Sequence, residues 1–82
     1  MISEQHEERI KRETLISARL MANFNMTVIE IAEIIGVPKS TVHWRLRNRL
    51  KSINSELFYK VDTVLLMHKA RNPLYKSNPS RQ

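Results

Sequence analysis

The stretch Thr27-Val28-Ile29-Glu30-Ile31-Ala32-Glu33-Ile34-Ile35-Gly36-Val37-Pro38-Lys39-Ser40-Thr41-Val42-His43-Trp44-Arg45-Leu46-Arg47 decides how the rest of the chain is read. Thr27 stands three residues before Glu30, the spacing of a capping box, in which each side chain meets the other residue's backbone N–H and a helix starts. Met26 and Ile31 fall at the two positions of a hydrophobic staple around that cap. The helix so begun has to stop at Gly36, whose missing Cβ admits the positive φ that ends many helices. Pro38 suits the first position of a second helix, where a missing N–H costs nothing. Val42, Leu46 and Leu50 then recur at i, i+4 and i+8, the stripe of a helix with one buried side. A short helix, a tight turn and a second helix are therefore predicted. Ala32 is small where the two helices cross, and Ile31, Ile35, Val37, Val42 and Leu46 fill the core they share. This is the pattern of a helix-turn-helix, although short helical pairs in unrelated proteins imitate it.

Outward from this unit, helical periodicity continues. A first helix is expected from about Glu4 to Asn23, with Ile10, Leu15, Ala18, Met21 and Ala22 on one side, flanked by Ile16 and Leu20. Its acidic first turn suits the positive end of the helix dipole. The second helix of the motif is read from Pro38 to Lys51, with Ile53 in a linker. Asn54 or Ser55 then caps a supporting helix to about Ala70, whose inward residues are Leu57, Val61, Val64, Leu65 and His68. From Asn72 onward Pro73, Pro79, serines, asparagines and scattered cations offer nothing to pack, which predicts a flexible basic tail. The fold class expected is all-α: a small bundle of about four helices containing a helix-turn-helix. Residues 1–71 form the domain, with the motif at about 27–50 and the supporting helix at 54–70, and residues 72–82 form the tail.

The 82 residues suffice for one domain, and 41% hydrophobic residues supply a thin core. A single Gly and three Pro are too few for the turns of an all-β chain. No Cys is present, which removes disulfides and thiolate metal sites. No apolar run approaches the roughly 18–20 residues of a membrane span, and the acidic start lacks the apolar stretch of a signal peptide. A cytoplasmic, nucleoid-associated protein is expected.

Net charge is +6, and it is unevenly placed. Residues 1–36 hold four Lys or Arg against six Glu, a net of −2; residues 37–82 hold ten against Glu56 and Asp62, a net of +8. So lopsided a field favours a polyanion. A membrane surface is the weaker candidate, because the apolar faces that would insert are needed for the core. Double-stranded DNA is the expected partner, with RNA polymerase as a further candidate. No apolar stripe is spare beyond Phe58, Tyr59 and Leu66, which favours a monomer over a dimer.

With Val42, Leu46 and Leu50 turned inward, the helical wheel sends Ser40, Trp44, Arg47, Asn48 and Lys51 outward, with Thr41, His43 and Arg45 on the flanks. The start of a recognition helix reaches deepest into the major groove, so Lys39, Ser40, His43, Trp44 and Arg47 are candidate base readers. Arg47 or Lys39 fits guanine O6 and N7, a pairing that contributes about 1–3 kcal/mol of discrimination. Thr41, Arg45, Asn48, Arg49 and Lys51 are candidates for phosphates, which position the protein without reading sequence. A lone Trp in a small domain usually belongs to the core, but Trp44 lies nearly opposite Val42 and Leu46. Two places stay open for its indole: along the groove, or under the C-terminal segment. Lys69, Arg71, Lys76 and Arg81 are either an ordinary solvated tail or an extension that orders against phosphates or a minor groove.

Catalysis finds no support. His6, His43 and His68 are far apart in sequence with no acidic cluster behind them, so no metal or other cofactor is expected, and His68 reads as a hydrogen-bonded residue at the core's edge. Neither a glycine-rich phosphate loop nor a nucleophile elbow is present. The leading expectation is a sequence-specific transcriptional regulator. Its rivals are a DNA-docking accessory factor of a recombinase or phage system, and a protein-interaction adaptor using the basic face.

Across Gly36-Val37-Pro38-Lys39-Ser40-Thr41-Val42-His43, then Arg49-Leu50, Ile53-Asn54 and Met67-His68-Lys69, the chain resembles the sporulation stage III protein D family of transcriptional regulators. The likeness runs upstream through Ile31-Ala32 and Val28, covering roughly residues 10–71. It implies a small helical regulator of sporulation genes, acting in the mother cell of a spore-forming bacterium, that binds DNA through its helix-turn-helix and a basic C-terminal segment. By the same resemblance Lys39, Ser40, Thr41 and His43 are recognition-helix contacts, and Lys69 and Arg71 begin the basic segment. The chain departs from the family's pattern at Pro38, where Ser is preferred, at Trp44-Arg45, and in a shorter, less densely basic tail.

Overall fold

A computed structural model describes residues 2–71; the expected tail at 72–82, with Lys76 and Arg81, lies outside the described residues. Five helices follow in order: α1 (Ile2–Phe24), α2 (Val28–Ile35), α3 (Lys39–Asn48), α4 (Leu50–Ile53) and α5 (Ser55–Arg71). Among the described residues there is no strand, so the all-helical expectation holds. The long α1 is the spine: α2, α3, α4 and α5 all pack on it, α2 and α3 pack on each other, and α5 covers α3 and α4.

The core is the set that this packing encloses: Ala18 and Met21 from α1, Ile31 and Ala32 from α2, Val42 and Leu46 from α3, Leu50 from α4 and Val61 from α5. Burial of such side chains contributes about 1.5–3 kcal/mol each for the larger ones, which is what holds so short a chain together. The inward side of α1 differs from the expected stripe. Thr14 and Ser17 are buried and Ile16 is exposed. Each hydroxyl donates to the carbonyl one turn back, Thr14 Oγ1 to Ile10 at 2.6 Å and Ser17 Oγ to Glu13 at 2.8 Å. A hydroxyl satisfied in this way enters a core at little cost.

The local signals around α2 are realised. Thr27 Oγ1 accepts from Glu30 N at 3.2 Å while Glu30 Oε1 accepts from Thr27 N at 2.9 Å. Met26 packs against the cluster that contains Ile31. Gly36 ends the helix at φ 85°, its N–H donating to Ala32 O at 2.8 Å, and the position a Cβ would take faces open space.

Two boundaries move. Pro38 is the cap of α3 and not its first helical residue: ψ is 147°, and its carbonyl accepts from Thr41 and Val42. The helix read to Lys51 ends at Asn48. Arg49, at φ −114°, bends the chain and α4 follows, taking in Ile53, which was expected in a linker. Leu50 stays fully buried across this break, and α4 packs on α5. Of the two cap candidates Asn54 and Ser55, Asn54 serves: its Oδ1 accepts from Leu57 N at 3.0 Å at the start of α5.

Candidate nucleic-acid interface

A helix lodged against neighbours on one side can offer only its other side to a partner, and the lodging of α3 is clear. Val42 is 2% exposed and Leu46 0%, while Trp44 is 54% exposed. Lys39, Ser40, His43, Arg47 and Asn48 are exposed with it, and Thr41 and Arg45 are half-buried. Trp44 is therefore not a core residue. Lys51, also exposed, stands on α4 beyond the bend, and Lys69 and Arg71 are exposed in the last turn of α5. The structure thus brings together the candidates from Lys39 to Lys51 and places Lys69 and Arg71 on a different element.

Three arginines on or just after α3 meet carboxylates that sequence reasoning did not single out. Arg45 NH1 donates to Glu13 Oε1 of α1 at 2.8 Å, and both side chains are largely covered. Arg49 pairs with Glu7, which precedes Glu13 on α1 and lies nearer the N-terminus. On the other flank Arg47 pairs with Asp62 of α5. Arg45 ties α3 to α1 and Arg47 ties it to α5, so its roll about its own axis is held from two elements. The hydrogen bond from Arg49 holds the Glu7 carboxyl below the ordinary glutamate range, and slight desolvation works against that shift.

Aromatic rings extend this surface. Phe58 and Tyr59 meet edge to face, 5.4 Å between centroids, and the Lys51 ammonium lies 5.8 and 5.9 Å from the two centroids. The Arg47 guanidinium lies 6.0 Å from the Phe58 centroid. Asn48 Nδ2 donates to Trp44 O at 3.0 Å, which occupies one of its amide protons. His68 is at the core's edge, as read, within 3.0 Å of Asn25 Oδ1, where it ties the end of α5 to the α1–α2 turn. Asp62 was the one missed residue with a signal in the sequence: apart from Glu56 it is the sole acid after Gly36, and it lies four residues from Phe58 on one helix.

Among the described residues no three His, Asp or Glu side chains are grouped to hold a metal ion. No described helix is long and apolar enough to cross a membrane.

These features define a class: a small all-helical domain that turns the cationic, indole-bearing side of a short helix toward solvent. The chain belongs to the Stage III sporulation protein D family, whose family model matches residues 7–77. It is 39% identical over 61 residues to Stage III sporulation protein D of Bacillus subtilis (strain 168), a match covering 74% of this chain and 66% of that protein, just under two thirds of its length. No solved structure matches the chain.

Proposed function

We propose that this protein is a sporulation-related transcriptional regulator that binds double-stranded DNA through a helix-turn-helix, with α2 and α3 as its two helices and α3 in the major groove. The observation that carries the reading is the roll of α3, with Val42 and Leu46 inside and Trp44 and Arg47 outside. Its first turn holds no acidic residue and no side-chain cap, which leaves backbone N–H groups for a phosphate. Lys39, Ser40, His43, Trp44 and Arg47 are assigned to base edges. Thr41, Arg45, Asn48, Arg49 and Lys51 are assigned to the backbone, where Arg45 and Arg49 come with their carboxylate partners and so contribute less net charge than Lys51. Lys69, Arg71 and Lys76 belong to a basic segment that meets phosphates beyond the motif. Membership of a sporulation family supports the assignment of its targets to sporulation genes.

Selection from a random duplex pool, followed by titration of the enriched duplex, tests this. A defined motif should emerge, and the fluorescence of Trp44, the single tryptophan, should quench on adding that duplex while a scrambled one has a much smaller effect. A pool that never converges, with mobility shifts abolished by competitor DNA, would mean that the basic face serves another partner.

A further inference from the structure

Arg45, Arg47 and Arg49 look equivalent in the sequence, but the structure separates them. Arg45 and Glu13 are 14% and 25% exposed, so that pair is mainly a strap between helices. Arg49 meets Glu7 beyond the end of α3. Arg47 combines an anchored guanidinium with the most open side chain of the three: it is 43% exposed while NH1 is held by Asp62. A second contact limits it further, because its Cζ stands 6.0 Å from the centroid of Phe58, one turn before Asp62 on α5. Phe58 packs against the core and so moves little.

Two contacts from one rigid helix thus fix one guanidinium and leave most of its five N–H donors unspent. That is the condition for planar recognition. A fork already aimed loses less freedom on meeting its target than one swinging on a four-bond stem. The placement also carries a cost. Asp62 puts a negative charge beside the helix proposed to meet DNA, where it repels phosphate. A carboxylate so placed weakens binding to every sequence, and what it returns is orientation.

Resting on the reading of α3 as the recognition helix, we propose that Asp62 is a positioning residue for base recognition. It aims Arg47 at a single base pair, and thereby sets the preference at that position without touching DNA itself.

The test compares selected-sequence profiles and non-cognate affinity for the wild type, Asp62→Asn, Asp62→Glu and Arg47→Lys. Asp62→Asn should flatten preference at one position by roughly tenfold, the scale of a lost bidentate contact. Its affinity for non-cognate duplex should rise a few-fold, because a repulsive charge is gone. Asp62→Glu keeps charge and ion pair but moves the anchor by one methylene, so preference at that position falls while non-cognate affinity holds. Arg47→Lys keeps charge without the fork and should flatten the same position, and adding Asp62→Asn to it should flatten nothing more. Loss of cognate and non-cognate affinity in parallel with thermal stability would make Asp62 a structural strap and overturn the proposal. An unchanged profile in both Asp62 variants, beside a selective wild type, would overturn it and leave the regulator reading intact. If Asp62→Asn fails to fold, the Asp62→Glu profile decides. A wild type without any preference removes the regulator reading, and this inference with it.

Discussion

At the scale of single residues, charge does two jobs on α3: it faces outward as a field, and it is tied inward to set the helix's orientation. The Glu7–Arg49 pair makes the second job measurable. Arg49's hydrogen bond depresses the Glu7 pKa below its ordinary 4.5. A carboxyl whose folded value is depressed contributes stability that is fully present above the unfolded value and is lost as pH falls through the folded one. The contribution should therefore be intact near neutrality and disappear on acidification below about 4.5. Titration of the Glu7 carboxyl by NMR should give a midpoint under that of a glutamate in an unstructured peptide, and Arg49→Gln should restore it. A midpoint unaffected by Arg49→Gln would show that the pair does not persist in solution. These carboxylates were illegible in the sequence for a physical reason. Partners 32 and 42 residues apart are brought together only by the packing of α1 on α3, and no periodicity along either helix encodes that. Asp62 and Arg47 are likewise joined only by packing, although Asp62 stands out in the sequence as one of two acids after Gly36. By contrast the outward placement of Trp44 was legible, because it follows from the angle between Trp44 and its own helix neighbours Val42 and Leu46.

At the scale of elements, α2 is the part whose sequence leaves least to chance. With eight residues it is too short to persist on propensity alone, so its ends must be held. Thr27 and Glu30 hold one end and Gly36 the other. Thr27→Ala removes one acceptor and uncouples the box, which should cost about 1 kcal/mol. Urea unfolding should show a lower midpoint with unchanged slope, while Thr27→Ser should recover most of the loss because its hydroxyl accepts the same bond. A slope that changes along with the midpoint would mean that α2 frays in the native state. Caps are local, which is why the start of α2 is legible from Thr27 and Glu30, three residues apart, and that of α5 to within Asn54 or Ser55. The break at Arg49 leaves no mark in the sequence: no glycine or proline stands there, and Leu50 continues the stripe of Val42 and Leu46 as it would in an unbroken helix. Thr14 and Ser17 were passed over for a related reason. A wheel built on apolar residues does not register a hydroxyl that satisfies itself on its own helix.

At the scale of the whole molecule, the decisive quantity is the separation of charge along the chain, −2 up to Gly36 and +8 after it. The acids of α1 do not neutralise the cationic half so much as anchor it, since two of them are used on Arg45 and Arg49. The remaining cations from Lys39 to Arg81 set how strongly a polyanion is attracted, and each phosphate they neutralise adds about 0.9 to the slope of log K against log salt concentration. Removing residues 73–82 deletes Lys76 and Arg81, two of the ten cations in that half. If the proposed basic segment lies against the backbone, the truncated protein should bind more weakly at low salt and lose about one to two units of slope. Its selected motif should stay the same, because phosphate contacts position a protein without reading sequence. The two measurements separate the candidates for what the tail does. Loss of slope with an unchanged motif means phosphate contact, and loss of slope with a shortened motif means an adjacent groove is read as well. Unchanged slope and affinity would confine recognition to the described helices, with Lys51 and the last turn of α5 as the limit of the footprint.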